Sequence, residues 1–564
     1  MSLLLLILSP LLITTNAFPP LPKPNLTTLL SSLNQTLSGR LQPSLPLFSP
    51  CFPSQTNPVC LSLKSTQSPL FHSNHYPGFQ FLQGEACLSD PSDQCLVSSS
   101  KCNQGVVSPY YISIQSASDL QAIFESARSS PGLLTLSIKN SGHDYVMRSS
   151  RRHSLAIWTR FLQEKIFHPE FIICGKSPTE AITFGAGVNT DEAVSFAHSY
   201  GYVFDGGSSS TIGVSGGWVL NGGHSVLSGS IGLAVDRVLE FVIVTGDGET
   251  RRVNECMDRD LFWALKGGGG GVFGVVLSST FVVERERPLT AGIVQIGNGD
   301  GERRFLELLT DNMVAWALKG WGGALGVNYA IMVNSDEAVG VEEGKKDLKG
   351  IIDLAEGNEG GYWNVRKYEN FYEFYKGVIN TSTDAQPVGM GVGLLTTSRI
   401  IPVGAFESQE RRKKMVDTVM DMQGMGMSIG LLATMPFLYG RNMTEEELRK
   451  KRAIHPGWYN SVWQIVGYSS LMGSSSFEER KGVVEMLKVG TDMLRELAPE
   501  GCTYSNEGLA WLDDWKREFW GEKNYERLLR IKKKYDPDGL LGCWHCVGWD
   551  ESQKDYECIS GLTP

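Results

Sequence analysis

The sequence predicts an α+β or α/β fold, because short strands alternate with amphipathic helices from about residue 105 onward. Residues 110–114 (Tyr-Tyr-Ile-Ser-Ile) have the composition of a strand, and residues 116–128 open on a serine and keep helical spacing of apolar residues. A later strand, predicted over 237–245, ends at Gly-Asp-Gly-Glu, which is typical of a hairpin turn. The 564 residues, of which 41% are hydrophobic, suffice for two or three packed domains.

Further elements follow along the chain. The patterns predict strands over 134–139 and 181–187 and helices over 190–200, 305–319, 477–497 and 524–535. Residues 18–104 are rich in Pro and Ser and lack sustained periodicity, so irregular structure is expected there. We therefore divide the chain into a leader (1–17), an N-terminal cysteine-bearing segment (18–104), a first domain (105–286), a second domain (287–500) and a C-terminal segment (501–564).

The first residues predict secretion. A short apolar stretch over 3–13 is followed by Thr15-Asn16-Ala17, which predicts a signal peptide cleaved after Ala17, although no Lys or Arg precedes the stretch. No later segment resembles a membrane span, so we expect no membrane contact after cleavage. Glycosylation sequons begin at Asn25, Asn34, Asn380 and Asn442.

The 11 cysteines crowd both ends of the chain, which in an oxidising compartment predicts disulfides that staple loop-rich regions. Cys543 and Cys546 have CxxC spacing, which also suits redox chemistry or zinc. Because no second CxxC and no βαβ context accompany them, a structural disulfide is favoured. The odd count leaves at least one cysteine unpaired, and Cys174 is a candidate.

The charge of the chain argues against nucleic acid as a partner. The formal net charge is −10, whereas nucleic-acid surfaces need basic patches. The short runs 411–414 and 532–534 are interpreted as solvated helix faces. The scattered histidines predict no metal site.

Three glycine-bearing loops carry the candidate chemistry. They are residues 139–145 (Lys-Asn-Ser-Gly-His-Asp-Tyr), 206–224 and 266–274. Glycine and serine permit close backbone approach to a ligand, and free N–H groups can cradle a phosphate. The third loop lacks the strand–turn–helix unit and acidic residue of a nicotinamide-dinucleotide site, which we exclude.

The order and flanks of these loops resemble the FAD-binding domain of the vanillyl-alcohol oxidase superfamily. More narrowly they resemble its berberine bridge enzyme-like branch, including fungal secreted members similar to isoamyl alcohol oxidase. The resemblance returns at Tyr504-Ser-Asn-Glu507 and over 519–539. It implies an α+β fold with a PCMH-type FAD-binding domain of two α+β subdomains. It also implies a substrate domain with an antiparallel sheet covered by helices.

The resemblance implies roles for individual residues. His143 is the position that becomes bonded to the flavin 8α-methyl group, since a neutral imidazole is a nucleophile near neutral pH. The other implied cofactor-binding positions are Lys139, Asn140, Ser141, Gly142, Gly207, Ser208, Ser209, Thr211, Gly213, Gly216, Gly217, Gly223, His224, Val244 and Asn506. For His224, a purely structural role is about as well supported as a cofactor contact.

Many relatives carry a second flavin link, a cysteine in the glycine-serine loop, where this chain has Ser209. A hydroxyl is far less nucleophilic than a thiolate, so the sequence predicts attachment through His143 alone. By analogy, bulky oligosaccharide substrates become less suited to the site.

The catalytic base is left open between two residues. Relatives have a Tyr-x-Asn-Tyr motif, and this chain reads Tyr504-Ser-Asn506-Glu507. Glu507 is a candidate base if burial raises its pKa, Tyr504 is the other, and a structural pairing of Glu507 with an arginine is the alternative. His455 and Trp458 are candidates for the substrate cavity.

The expected function is a secreted FAD-dependent oxidoreductase. It would transfer a hydride from an alcohol or secondary metabolite to covalent FAD, which O2 reoxidises to give H2O2. The alternatives are a flavin-dependent dehydrogenase or oxidative cyclase, and a non-catalytic binding protein on a decayed scaffold. The intact His143 argues against the last of these.

Overall fold

The computed structural model describes residues 25–52, 54–65, 68–97, 99–297, 301–380, 392–550, 552 and 556–563. The predicted signal peptide lies outside these residues. Within them the fold is α+β, and it consists of three main sheets with helices packed against them.

The first sheet has four strands in the order β1-β2-β4-β3, of which the last three run parallel and β1 is antiparallel to β2. The helices Leu26–Thr36 and Ala117–Ser129 share a core with it. Ser116 and Asp119 form a capping box at the start of the second helix, which explains its position. The strands are β1 (Leu41–Pro43), β2 (Tyr110–Ser113), β3 (Thr135–Lys139) and β4 (Ser154–Trp158).

The second sheet is antiparallel, with the order β5-β6-β10-β8-β9, and β7 pairs with β11 beside it. Two of the glycine-rich loops lie next to strands of this sheet in the chain. The loop 206–224 precedes β8, and the loop 266–274 leads into β10. The strands are β5 (Lys165–Phe171), β6 (Thr179–Gly185), β7 (Tyr202–Val203), β8 (Val238–Thr245), β9 (Thr250–Asn254), β10 (Gly274–Val282) and β11 (Glu284–Arg285).

The third sheet has seven antiparallel strands in the order β15-β12-β14-β13-β17-β18-β16. Helices Glu302–Leu318, Gln409–Gly424 and Phe477–Leu497 cover it, as the resemblance implied. The strands are β12 (Leu289–Gln295), β13 (Gly322–Gly326), β14 (Tyr329–Asn334), β15 (Tyr362–Tyr368), β16 (Val392–Pro402), β17 (Ser428–Ala433) and β18 (Ser461–Met472).

The remaining helices are shorter or lie at the ends of the chain. No helix in the ranges given above is both long enough and apolar enough to cross a bilayer. The α-helices are Pro58–Ser65, Pro69–Ser73, Thr190–Ser199, Gly217–Leu220, Ser228–Ile231, Ala234–Arg237, Arg259–Leu265, Val341–Asp347, Lys349–Gly357, Phe371–Phe374, Phe437–Gly440, Glu445–Lys451, Trp515–Trp520, Glu522–Tyr535 and Glu557–Ser560. The 3-10 turns are Ser49–Cys51, Leu82–Gly84, Val403–Phe406 and Pro456–Asn460, and a π-turn spans Tyr375–Ile379.

The N-terminal segment differs from its prediction. It supplies a helix and an edge strand to the first sheet, because Leu29, Leu30 and Leu33 give the helix one apolar face that the Pro- and Ser-rich composition obscured. The domain boundaries at 104, 286 and 500 stay predictions.

The C-terminal segment contacts the third glycine loop. The indole N–H of Trp520 donates to the Gly267 carbonyl at 2.9 Å, and the Lys532 ammonium donates to the Val272 carbonyl at 2.6 Å. The interpretation of 532–534 as a solvated face is therefore wrong for Lys532, which is buried and paired with Asp536.

All 11 cysteines lie within the described residues, and ten of them form disulfides, which confirms the prediction of stapled ends. The prediction for Cys174 is wrong: it pairs with Cys256, and the unpaired cysteine is the buried Cys502. The long-range bond Cys87–Cys558 joins the two ends of the chain. The other pairs are Cys51–Cys60, Cys95–Cys102 and Cys543–Cys546.

A buried ion pair joins the third sheet to the C-terminal segment. Arg399 and Glu518 are each 3% exposed, and a guanidinium nitrogen lies 2.7 Å from the carboxylate. Arg399→Met is expected to lower the free energy of unfolding by about 2–3 kcal/mol, because the buried Glu518 keeps Arg495 at 3.2 Å but loses its shorter ion pair. The backbone carbonyls of Ala498 and Gly501 also lose their donor. Arg303→Met breaks an exposed pair and should cost under about 1 kcal/mol. Denaturant unfolding measures both, and equal effects would contradict this account.

Candidate active site

A cavity of about 520 Å³ brings together most of the predicted site residues. This volume lies within the usual range for small-molecule and cofactor sites. The first glycine loop, directly after β3, lines it together with the other two glycine loops, the third sheet and the C-terminal segment. Of the predicted positions, those that line the cavity are Asn140, Ser141, Gly142, His143, Gly207, Ser208, Ser209, Gly213, Gly216, Gly217, His224, Tyr504, Asn506 and Glu507.

The glycine loops pack so closely that side chains would not fit between them. A Cβ on Gly213 would overlap the Asn140 amide oxygen, and one on Gly216 would lie 2.5 Å from Asn140 Cγ. Asn140 in turn donates to the Thr159 hydroxyl at 2.9 Å, which fixes the first loop. The loops therefore present backbone to the cavity, and this cradle fits a cofactor held by main-chain contacts.

His143 is held at one ring nitrogen. Its Nε2 lies 2.5 Å from the Thr211 hydroxyl oxygen, while Nδ1 has no hydrogen-bond partner among the residues that the structure describes. Burial, and secondarily the charge of Lys139, lower the pKa of His143 to about 4. At neutral pH the imidazole is therefore uncharged, with Nδ1 available to a ligand.

Lys139 does not line the cavity, although the resemblance implied a cofactor contact. Its buried ammonium donates to the carbonyl oxygens of His75 at 3.1 Å and Tyr76 at 2.8 Å, and it lies 4.4 Å from the centre of the Phe79 ring. Burial lowers the pKa of Lys139 to about 7 despite the opposing charge of Glu85. Lys139 thus anchors the N-terminal segment beneath the first loop.

Three other implied cofactor positions also lie behind the cavity wall. Thr211 acts through its contact with His143. Val244 is fully buried in β8, and Gly223 faces Ala234, which leaves no room for a Cβ. These residues shape the loops that contact a ligand.

Glu507 lies at the cavity wall in a polar network. One carboxylate oxygen lies 3.3 Å from Nε2 of His224, and the other accepts a hydrogen bond from the Gln464 amide at 2.9 Å. The second nitrogen of His224 is 2.9 Å from the Thr434 hydroxyl. No arginine pairs with Glu507 in the part of the chain described, so the arginine-pairing alternative is wrong. With His224 and Gln464 as its partners, Glu507 still lines the cavity.

Tyr504 lies beside Glu507. Its hydroxyl accepts a hydrogen bond from the Asn506 amide at 2.7 Å, and that amide also donates to the Gly217 carbonyl at 3.1 Å. Burial, reinforced by the charge of Glu507, raises the pKa of Tyr504 well above its usual range. Tyr504 is therefore a protonated phenol at neutral pH, suited to donate a hydrogen bond.

The sequence reasoning missed the apolar wall. Aromatic and aliphatic side chains from five strands of the third sheet face the cavity, and Phe81 of the N-terminal segment stacks on Tyr145 at 4.5 Å. Tyr145 belongs to the first loop motif, whereas no local signal marks the others. The sheet residues are Ala324, Tyr329, Leu394, Leu432 and Tyr468.

His455 and Trp458 do not line the cavity, contrary to the expectation. Nδ1 of His455 accepts a hydrogen bond from the backbone N–H of Gly457 at 3.0 Å, and Trp458 packs edge-on against Tyr504 at 5.2 Å. Among the described residues no group of three or more His, Cys, Asp or Glu side chains is placed to hold a metal ion.

The glycine cradle and cavity define a flavoprotein site, and comparisons with known proteins agree. Residues 108–254 match the family described as FAD binding domain, and residues 503–543 match the family described as berberine and berberine like. The FAD-linked oxidoreductase cheF of Chaetomium globosum is 37% identical over 559 residues, covering 94% of this chain and 88% of the relative. The chain therefore belongs to the FAD-linked oxidoreductases of the vanillyl-alcohol oxidase and berberine bridge enzyme-like superfamily.

Solved structures share the fold. The VAO-type flavoprotein MtVAO615 from Myceliophthora thermophila C1 superposes with a TM-score of 0.79 at 25% identity, covering 94% of this chain and 96% of that one. Glucooligosaccharide oxidase from Acremonium strictum, described with a 6-S-cysteinyl, 8α-N1-histidyl FAD, has a TM-score of 0.60 at 18% identity over 78% of this chain and 92% of its own. The latter likeness concerns the fold alone.

Proposed function

We propose that this FAD-linked oxidoreductase oxidises a small alcohol or secondary metabolite and uses O2 as its electron acceptor. FAD, when bound, accepts a hydride from the substrate and returns two electrons to O2, which yields H2O2. The observation that carries the proposal is that the neutral imidazole of His143 and the carboxylate of Glu507 line the same cavity. The first suits attachment of a flavin, and the second suits removal of a substrate proton.

His143 is proposed as the covalent anchor, through an 8α-histidyl bond. Its Nδ1 supports this, because that nitrogen has no partner among the described residues while Thr211 occupies the other nitrogen. The histidyl linkage described for glucooligosaccharide oxidase uses the corresponding ring nitrogen, N1. That protein also has a cysteinyl linkage, whereas Ser209 lines the cavity here and no cysteine lies in the 206–224 loop. We therefore propose a single link.

Glu507 is proposed as the base. Gln464 and His224 each hold one carboxylate oxygen, so the group is fixed at the edge of the cavity rather than rotating freely. The protonated Tyr504 has a different task, which is to donate a hydrogen bond to the substrate oxygen. This division gives the substrate one acceptor and one donor, the pair that an alcohol needs for removal of its hydroxyl proton.

The cavity favours a small, largely apolar substrate. The cavity has to accommodate both the cofactor and the substrate, which limits the size of the substrate. Phe81, Tyr329 and Tyr468 contribute aromatic surface on the side of the N-terminal segment and the third sheet. A bulky oligosaccharide is poorly matched to such walls.

Secretion is part of the proposal. Five disulfides suit an oxidising compartment. The sequon residues Asn25 and Asn442 are exposed, which supports their glycosylation. The test is secretion of the full-length chain from a eukaryotic host, followed by removal of glycans with an endoglycosidase and a mass measurement.

The test of the activity has two stages. The purified protein should be yellow and should keep its flavin after acid precipitation, and a colourless protein would contradict the proposal. Incubation with a panel of alcohols and aldehydes under air should then form H2O2 in equal amount to the oxidised product. A ring-closed or desaturated product without peroxide would favour the dehydrogenase or cyclase alternative.

The pH dependence of flavin attachment tests the environment of His143. Because its pKa is lowered to about 4, the nucleophilic neutral form persists in weak acid. Attachment of FAD to the flavin-free protein should keep a nearly constant rate from about pH 8 to about pH 5, whereas an ordinary histidine would lose half its rate near pH 6.5. Flavin fluorescence of denatured samples measures the rate. Non-covalent FAD capture at each pH is the control, and a midpoint near 6.5 would contradict the prediction.

A further inference from the structure

Arg148 lines the cavity, and its guanidinium has no charged partner among the described residues. Its Nε donates to the Trp544 carbonyl at 3.2 Å, and its central carbon lies 5.7 Å from the centre of the Phe519 ring. Neither terminal nitrogen has a hydrogen bond or an acidic oxygen within ion-pair distance among the described residues. The two nitrogens that form the fork of the side chain are therefore uncommitted.

The neighbouring carboxylate of Asp144 does not serve as the ion-pair partner of Arg148. Asp144 accepts hydrogen bonds from the backbone N–H groups of Val146 at 3.0 Å and Ser149 at 2.8 Å, and from that of Arg148 itself. Its oxygens are thus engaged in shaping the turn that follows His143. The negative charge of Asp144 favours the protonated form of Arg148, but Asp144 forms no ion pair with the Arg148 side chain.

Two other buried arginines pair with carboxylates, unlike Arg148. Arg399 pairs with Glu518 at 2.7 Å and Arg452 with Asp236 at 2.7 Å. The buried Arg480 instead donates to backbone carbonyls, including that of Cys87 at 3.1 Å. Arg148 stays protonated and is partly removed from water, so its charge is costly unless an anion neutralises it.

We propose that Arg148 is the anion receptor of the cavity and binds a pair of anionic oxygens. Two ligands present this chemistry, namely the diphosphate of FAD and a carboxylate on the substrate, and both match the planar fork of arginine. The inference needs only the FAD-binding cavity. It does not depend on Glu507 acting as the base or on O2 as acceptor.

The experiment compares Arg148→Gln, Arg148→Lys and the exposed control Arg303→Gln. Each variant is made in a His143→Ala background, in which FAD is expected to bind reversibly, and the flavin-free protein is titrated with FAD and with riboflavin, which lacks the diphosphate. The flavin-loaded protein is titrated with acetate and benzoate while the flavin absorbance is followed. A thermal unfolding curve establishes that each variant folds.

The outcomes separate the two sources. A loss of FAD affinity by about 10- to 100-fold in Arg148→Gln, with riboflavin unchanged, assigns the diphosphate. Unchanged FAD affinity with 10- to 100-fold weaker carboxylate binding assigns the substrate. Arg148→Lys should retain part of the affinity, because it keeps the charge but not the fork, and it serves alone if the Gln variant does not fold. FAD and carboxylate binding within twofold of wild type in the variant that folds would overturn the proposal.

Discussion

Glu507→Gln is expected to lower kcat by about 10²- to 10⁴-fold, which is the usual contribution of a general base. The substitution preserves the size of the side chain and can keep the contacts with His224 and Gln464, but it removes the ability to accept a proton. KM should change little, since the cavity walls stay intact. The measurement is the anaerobic rate at which substrate bleaches the flavin absorbance.

Tyr504→Phe is the matched comparison, because the sequence left the base open between these two residues. Burial holds Tyr504 in its protonated form, so loss of its hydroxyl should remove one hydrogen bond and lower kcat by about 10-fold. Glu478→Gln, on an exposed helix start, should leave the rate unchanged. A full loss in Tyr504→Phe together with an active Glu507→Gln would assign the base to Tyr504 instead.

Local patterns predicted the strands β2, β3, β6 and β8 of the first two sheets and the three glycine loops. The predicted helix over 477–497 coincides with the observed one, because Ser476 and Glu479 form a capping box and one apolar face continues for its whole length. The three glycine loops line one cavity, and each is a short contiguous motif. Contiguous motifs of this kind can be recognised in a single sequence.

The polar network around Glu507 could not be predicted, because its members are distant in the chain. His224 is separated from Glu507 by 283 positions and Gln464 by 43, and only the folded sheet brings them together. From the sequence alone, pairing with an arginine was therefore the only structural alternative named for Glu507. The aromatic wall was hidden for a related reason: whether Tyr329 or Tyr468 faces the cavity depends on strand register, which is set by non-local pairing.

Lys139 shows how adjacency in sequence misleads. It ends β3 and precedes the flavin loop, but its side chain points to the carbonyls of the N-terminal segment, where Tyr76 and Phe79 surround it. That segment had no recognisable pattern, so its role as the partner of Lys139 was invisible. The disulfide partner of Cys87 was likewise not visible in the sequence, because Cys558 is 471 positions away.

His143→Ala is expected to abolish covalent flavin, from about one flavin per chain to none after acid precipitation. The reason is that Nδ1 of His143 is the nucleophile that the cavity offers, neutral at physiological pH and without a protein partner among the described residues. The glycine cradle is untouched, so FAD should still bind reversibly and colour the native variant. Flavin fluorescence of the denatured polypeptide distinguishes the two states.

Ser209→Ala is the control for a second link, and it should keep covalent flavin at the wild-type level, since a serine hydroxyl is a poor nucleophile. Thr211→Val tests the hold on the imidazole: without a partner for Nε2 the ring loses its orientation, and attachment should slow by about 10-fold while the final yield is retained. Covalent flavin in His143→Ala would place the anchor elsewhere. Loss of covalent flavin in Ser209→Ala would show that a second residue of the loop takes part.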